Sequence, residues 1–207
     1  MDYLLSQWEE VGTLLWQHVQ ITLATLTIAI LIAVPLALMI TRWRWLSVPV
    51  MGLLGVLYTI PSLALMIFLV PVFGLNARSV IVAIVIYTQV ILVRNLTVGL
   101  SNIDPPILEA ARGMGMNLWQ RWWWVQVPLV LPVFLAGVRI SAIVAIAIAT
   151  IGAKFNAGGL GKLLFDGIQT NRIDKIWVGS IAVAGLAFAI NGLLLWVQHR
   201  SQRLPQT

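Results

Sequence analysis

The side chains here that could do chemistry are few and far apart. Arg94 and Arg139 stand inside apolar sequence, where a charge is costly and marks a functional position by default. No carboxylate occurs in the apolar runs to pair with either. Arg94 lies near the end of its run, so its stem can follow the lipid while the guanidinium reaches the interface. Arg139 follows Pro128 by eleven residues, about 16 Å along a helix, and is harder to explain that way. It can line a polar path, meet a carbonyl at a broken helix, or touch a partner subunit. Enzymatic chemistry finds no support. Cysteine is absent, and His18 and His199 lie far apart in flanking positions. Gly158-Gly159-Leu160-Gly161-Lys162 is not a phosphate-binding loop: Asn156 stands where its first glycine is required, and Leu163 replaces the Ser or Thr. Trp119, Trp122, Trp123 and Trp124 suggest a cage for quaternary ammonium. Their place at the edge of an apolar run favours an interfacial belt or a docking surface.

These residues must be held by membrane helices. Hydrophobic residues make up 60% of the 207 positions and charged ones 10%; a soluble domain carries about 25% charged residues and could not cover its surface with so few. The net charge of +6 does not point to nucleic acid, because the basic residues form no stripe. Their use is to orient helices and meet anionic headgroups. No Lys or Arg precedes Arg42, whereas a secretory signal opens with a positive region, so the first apolar run is expected to be a retained helix.

The pattern predicts an all-α membrane protein with about five transmembrane helices. Residues 1–18, with Leu4, Trp8, Val11 and Leu15 at helical spacing, read as an interfacial helix. Residues 19–197 form the transmembrane part, with spans at 19–40, 48–73 (broken by Pro61 and Pro71), 79–100, 127–151 and 176–197. A Gly-rich loop with room for one short helix fills 153–175, and 198–207 is a tail. With the N-terminus outside, the inner loops carry Arg42, Arg44, Arg94, Arg112, Arg121, Arg200 and Arg203, and the outer ones Arg78, Lys154, Lys162, Arg172 and Lys175. That bias weakly favours N-terminus outside and C-terminus cytoplasmic.

The polar interior segment, about 101–126, carries its own helix signals. Asp104 suits an N-cap and Pro105 the first helical position. Gly113 and Gly115 can end the helix through Glu109, Ala110 and Ala111. Asn117 with Gln120 three residues later resembles a capping box, and Pro128 begins the next span. Read alone, this is also compatible with an ordinary amphipathic loop helix.

Glu109-Ala110-Ala111, Gly115, and Val125-Gln126-Val127-Pro128 at this spacing resemble the EAA loop of bacterial ABC importer permeases, with Val in both aliphatic places as a mild departure. Thr59-Ile60-Pro61-Ser62-Leu63-Ala64-Leu65, Leu92-Val93-Arg94-Asn95, residues 108–116 and Ala157-Gly158-Gly159-Leu160-Gly161 look like its osmoprotectant branch, which takes up glycine betaine, choline and carnitine. Lys154-Phe155-Asn156 and Asn191 depart from that branch. The resemblance implies that 101–126 is a cytoplasmic coupling loop between spans 3 and 4. There Glu109, Ala110, Ala111, Gly115 and Pro128 would serve an ABC ATPase subunit, the small residues admitting its backbone and Glu109 taking a charge-assisted hydrogen bond. It also implies a second permease subunit, alike or different, an extracytoplasmic solute-binding protein, and a bacterial inner-membrane location. No cofactor is expected in this chain, with ATP and Mg held by the partner ATPase. Arg139, Arg94, Asn191 and Pro61 are candidates for pathway or gating. An amino-acid or methionine importer is the alternative within transport, and a non-energised channel or scaffold subunit the alternative outside it.

Overall fold

The structure, a computed structural model, describes residues 7–202. Every element among them is helical, as lipid demands of a backbone it cannot hydrogen-bond. α1 is Trp8–Arg42. A 3-10 turn, Arg44–Leu46, leads to α2, Ser47–Thr59, and α3, Ser62–Phe73. α4 is Ala77–Ser101. The polar connection holds α5, Pro105–Gly113, α6, Leu118–Arg121, and a π-helical turn, Trp122–Gln126. α7 follows at Val127–Gly152, then a 3-10 turn, Ala153–Phe155, α8 at Gly161–Gln169 and α9 at Ile173–Gln202.

Four helices among the described residues are long and apolar enough to cross a bilayer, and α2 with α3 makes a further candidate bent by 98°. The bend is at Ile60-Pro61. A proline ring drives the preceding residue out of the helical region, and Ile60 accordingly has ψ 127°. Pro71, the other expected break, sits inside α3, whose helix ends only at Phe73. Packing decides whether the bent pair crosses. Gln17 of α1 hydrogen-bonds Gly159 beyond the end of α7, and Gln17, Ala77 and Ala157 line one recess. Val34, Leu38, Leu100 and Val127 line another at the opposite ends of those helices. The start of α4 is therefore on the far side from the end of α1, and α2–α3 must carry the chain across, giving five spans.

α4 is the central helix, with α1 and α7 packed along it and α2 and α3 also against it. Ala29, Ala33 and Ala37 recur every fourth residue on the buried face of α1. Small side chains at an interface let backbones approach in lipid, where no hydrophobic force draws helices together. Gln89 Nε2 donates to the Ala29 carbonyl at 3.1 Å across that contact. α7 approaches α4 through glycines: a Cβ on Gly137 would lie 2.9 Å from Asn95 Cβ, and one on Gly152 2.5 Å from Val80 Cγ1. The outer faces stay apolar, with Leu31, Phe68 and Phe188 mostly exposed, as a surface solvated by lipid should be.

Three expectations change. Residues 8–18 continue unbroken into α1, because nothing from Trp8 to Val34 interrupts the helix. The 198–207 tail begins inside α9, which runs to Gln202. His18, expected in a flanking position, is fully buried with Nε2 3.3 Å from the Ile146 carbonyl. Leu4, Arg203 and the remainder of the expected tail lie outside the described residues.

Candidate functional site

The connection between α4 and α7 takes its shape from its caps. Asp104 is non-helical at the head of α5 but makes no side-chain capping bond, and Pro105 opens the helix. The C-terminus is a Schellman motif. Gly115 takes φ +79°, its N–H donates to the Arg112 carbonyl at 2.9 Å, and the Met116 N–H to the Ala111 carbonyl at 3.2 Å. Gly113, the other candidate terminator, remains helical. At Asn117 both halves of a capping box form: the Gln120 N–H donates to Asn117 Oδ1, and the Asn117 N–H to Gln120 Oε1, each at 2.9 Å.

The following π turn has a local cause. Pro128 has no N–H to continue the α-helical ladder, and the Val127 N–H instead reaches the Trp122 carbonyl five residues back. Trp119 and Trp123 pack edge to face with centroids 5.5 Å apart, so these two rings fill each other rather than walling a cage.

α5 is thus a short helix held at both ends by turns. Ala111 is its buried side and fixes it to the body; Glu109 and Ala110 are exposed. No hydrogen bond or ion pair engages Glu109 among the described residues. A free carboxylate beside a methyl-sized residue on a braced helix can accept a donor from another protein without displacing a partner of its own.

The sequence candidates for a pathway are not gathered in one place. The Gly137–Asn95 contact sets Arg94 and Arg139 at similar depth on crossing helices. Arg94 is exposed and Arg139 half-buried, and no ion pair among the described residues joins either. Pro61 sits exposed at the bend and Asn191 half-buried in α9. The Gly-rich loop is a clasp. Gly158 and Gly159 have φ +79° and +82°, and the Gly159 N–H donates to Gln17 Oε1 at 3.1 Å. Sequence reading missed this clasp and the Gln89 bond; the signal available was a Gln in otherwise apolar sequence. No group of three or more metal-ligating side chains occurs among the described residues.

Residues 25–203 match the family described as the binding-protein-dependent transport system inner membrane component. The chain belongs to that family. It is therefore the permease of an ABC importer, a protein that works with an ATPase and a solute-binding protein. The osmoprotectant import permease protein OsmW of Salmonella typhimurium is 35% identical, over 98% of this chain and 94% of that one. The carnitine transport permease protein OpuCB of Listeria monocytogenes is 36% identical, over 97% and 94%. The choline transport system permease protein OpuBB of Bacillus subtilis is 32% identical, over 89% and 85%. Among solved structures, the permease fold matches a chain of the MetNI methionine ABC transporter in an inward-facing conformation, with TM-score 0.79 and 18% identity over 95% of this chain and 98% of that one. A chain of an amino acid ABC transporter with histidines matches at TM-score 0.72 and 17% identity, over 95% and 96%. At such identity the likeness concerns the fold. α5 is exposed, held at both ends by turns, and lies in the connection that joins α4 to α7.

Proposed function

We propose that this permease carries osmoprotectants of the glycine betaine, choline and carnitine class inward, paired with a second permease subunit, alike or different. On this reading 101–126 is cytoplasmic, the N-terminus is outside, and α5 seats in a cleft of the ATPase, which binds ATP and Mg. Glu109 accepts a charge-assisted hydrogen bond there, Ala110 admits the partner's backbone, Ala111 ties the helix to the core, and Gly115 and Pro128 set its two connections. Closure of the ATPase pair pushes α5, and α4 and α7 transmit the push as an outward-to-inward switch. The observation that carries the reading is the unengaged Glu109 on a helix braced by a Schellman motif and a capping box. The cargo rests on the sequence relatives and not on the solved structures, whose identity is too low to speak to it.

The experiment is ATP-dependent uptake of radiolabelled glycine betaine, choline and carnitine into vesicles containing the assembled transporter, with and without Glu109→Lys. The expected result is uptake by the natural protein and none by the variant, which still inserts. Normal uptake by Glu109→Lys refutes the coupling role. No uptake of any of the three, with ATPase binding still dependent on Glu109, keeps the importer and refutes the cargo.

A further inference from the structure

The span built from α2 and α3 is broken at the depth where a break is least tolerable. Tyr58, next to the end of α2, packs its ring on Tyr87 of α4 with centroids 5.5 Å apart. Tyr87 is ten residues from the start of α4 and fourteen from its end, about 15 Å and 21 Å along the helix, and so close to mid-membrane. At that level the backbone leaves the helix: Ile60 and Pro61 are extended, with ψ 127° and 133°. The Thr59 hydroxyl donates to the Val56 carbonyl at 2.7 Å, and the Ile60 N–H to the Leu57 carbonyl at 3.4 Å. Among the described residues nothing donates to the carbonyls of Tyr58, Thr59 and Ile60. Tyr58, Thr59 and Pro61 are exposed. Lipid cannot satisfy such carbonyls, and irregular backbone at this depth occurs only buried in protein or against a water-filled cavity. Arg94 chooses between the two. It follows Tyr87 by seven residues, two turns along the same face of α4, exposed and in no ion pair among the described residues. A dry contact would bury that guanidinium beside the open carbonyls, a cost that a paired carboxylate would have to offset. A second copy of this chain has no carboxylate in its spans to offer. Water satisfies both groups.

We propose that the α2–α3 bend and the α4 face bearing Tyr87 and Arg94 form a wall of the water-filled path that the solute follows. The cargo's contacts there rest on the osmoprotectant reading above. Its quaternary ammonium passes the open carbonyls and the Tyr58 ring, both of which favour a cation. Arg94 meets the carboxylate that glycine betaine and carnitine carry and choline lacks. Arg94 is then the residue that discriminates among the three.

The test uses the assembled transporter in proteoliposomes, with single cysteines in a chain that has none of its own. Thr59→Cys and Ser62→Cys report on the bend, and Leu31→Cys and Phe188→Cys on the exposed apolar faces of α1 and α9. A trimethylammonium-bearing methanethiosulfonate, supplied on both sides, reacts with thiolate, which forms in water and not in lipid. In the nucleotide-free or the vanadate-trapped state the bend cysteines should react at least about tenfold faster than the other two. Rates no higher than those of Leu31→Cys and Phe188→Cys in both states overturn the proposal, whether lipid or the second subunit covers the bend. Labelling needs no cargo, so it decides the path even where none of the three compounds is carried. Uptake tests Arg94. Arg94→Gln should lower glycine betaine and carnitine transport about tenfold relative to choline, and Arg94→Lys should keep most of it. Equal losses for all three, as from a guanidinium that only reaches the lipid interface, overturn the discrimination by Arg94.

Discussion

Two glycines beyond the end of α7 are constrained in different ways, and alanine distinguishes them. Gly159 sits at φ +82° with the His18 ring 3.0 Å from where a Cβ would stand; Gly161 has ordinary φ, but its Cβ would lie 2.0 Å from the Thr150 carbonyl oxygen. The first substitution forces a left-handed residue onto a side chain, the second forces backbone apart. We expect Gly161→Ala to cost about 2–3 kcal/mol and Gly159→Ala about 1–2 kcal/mol. Gly185→Ala, with nothing within 4 Å, should leave stability unchanged or slightly raised. Thermal unfolding in detergent measures all three, and equal melting temperatures would remove the clasp as a stabilising feature. Gln89 gives a subtler case. Its Nε2 is bonded to Ala29 while its Oε1 is buried without a partner. Interhelical hydrogen bonds in membranes average about 0.6 kcal/mol, and leucine also removes the unsatisfied oxygen. Gln89→Leu should therefore cost less than about 1 kcal/mol in the same assay, and a larger loss would mean that the oxygen has a role.

At the scale of the element, α5 and α6 are too short to persist by propensity, so their ends carry them. Asn117→Ala removes one half of the capping box at about 1 kcal/mol. Gly115→Ala keeps open space around the new methyl but retains the strain of φ +79°, also about 1 kcal/mol. Both should loosen the α5–α6 connection without unfolding the spans. The expected outcome is weaker co-purification of the ATPase with near-normal membrane insertion, and Asn117→Asp should restore the association. Unaltered association in both variants would show that the loop is shaped by its partner and not by its caps. These caps were legible in the sequence because they depend on residue type and spacing within a few positions: Pro105, Gly115, Asn117 and Gln120 each act locally. The π turn was not, because it depends on how the ladder re-phases ahead of Pro128. The depth of His18 was not legible either. A histidine near the end of an apolar run looks interfacial until the loop after α7 folds back over it through Gly158 and Gly159, a contact spanning 142 residues for Gln17.

At the scale of the molecule, helix packing fixes relative sidedness and leaves one binary question, which side faces the cytoplasm. The N-terminal end of α1 and the loop after α7 share one side through the Gln17–Gly159 bond, and the α4–α7 connection occupies the other. The number of spans was readable from apolar run lengths, and the bend from Pro61. Sidedness was only weakly so, since basic residues divide almost evenly between the two sets of loops. The natural chain contains no cysteine, so single cysteines report without background. Thr170 and Asn102 are exposed, at the end of α8 and at the end of α4. With the coupling loop cytoplasmic, a membrane-impermeant maleimide should label Thr170→Cys in cells whose inner membrane is intact, and Asn102→Cys only once that membrane is permeabilised. The reverse pattern would place α5 outside, out of reach of any ATP-hydrolysing partner, and would remove the coupling role of Glu109 whatever the uptake assay gave. Labelling of both sites from one side would contradict the crossing of α7 itself, and with it the five-span fold.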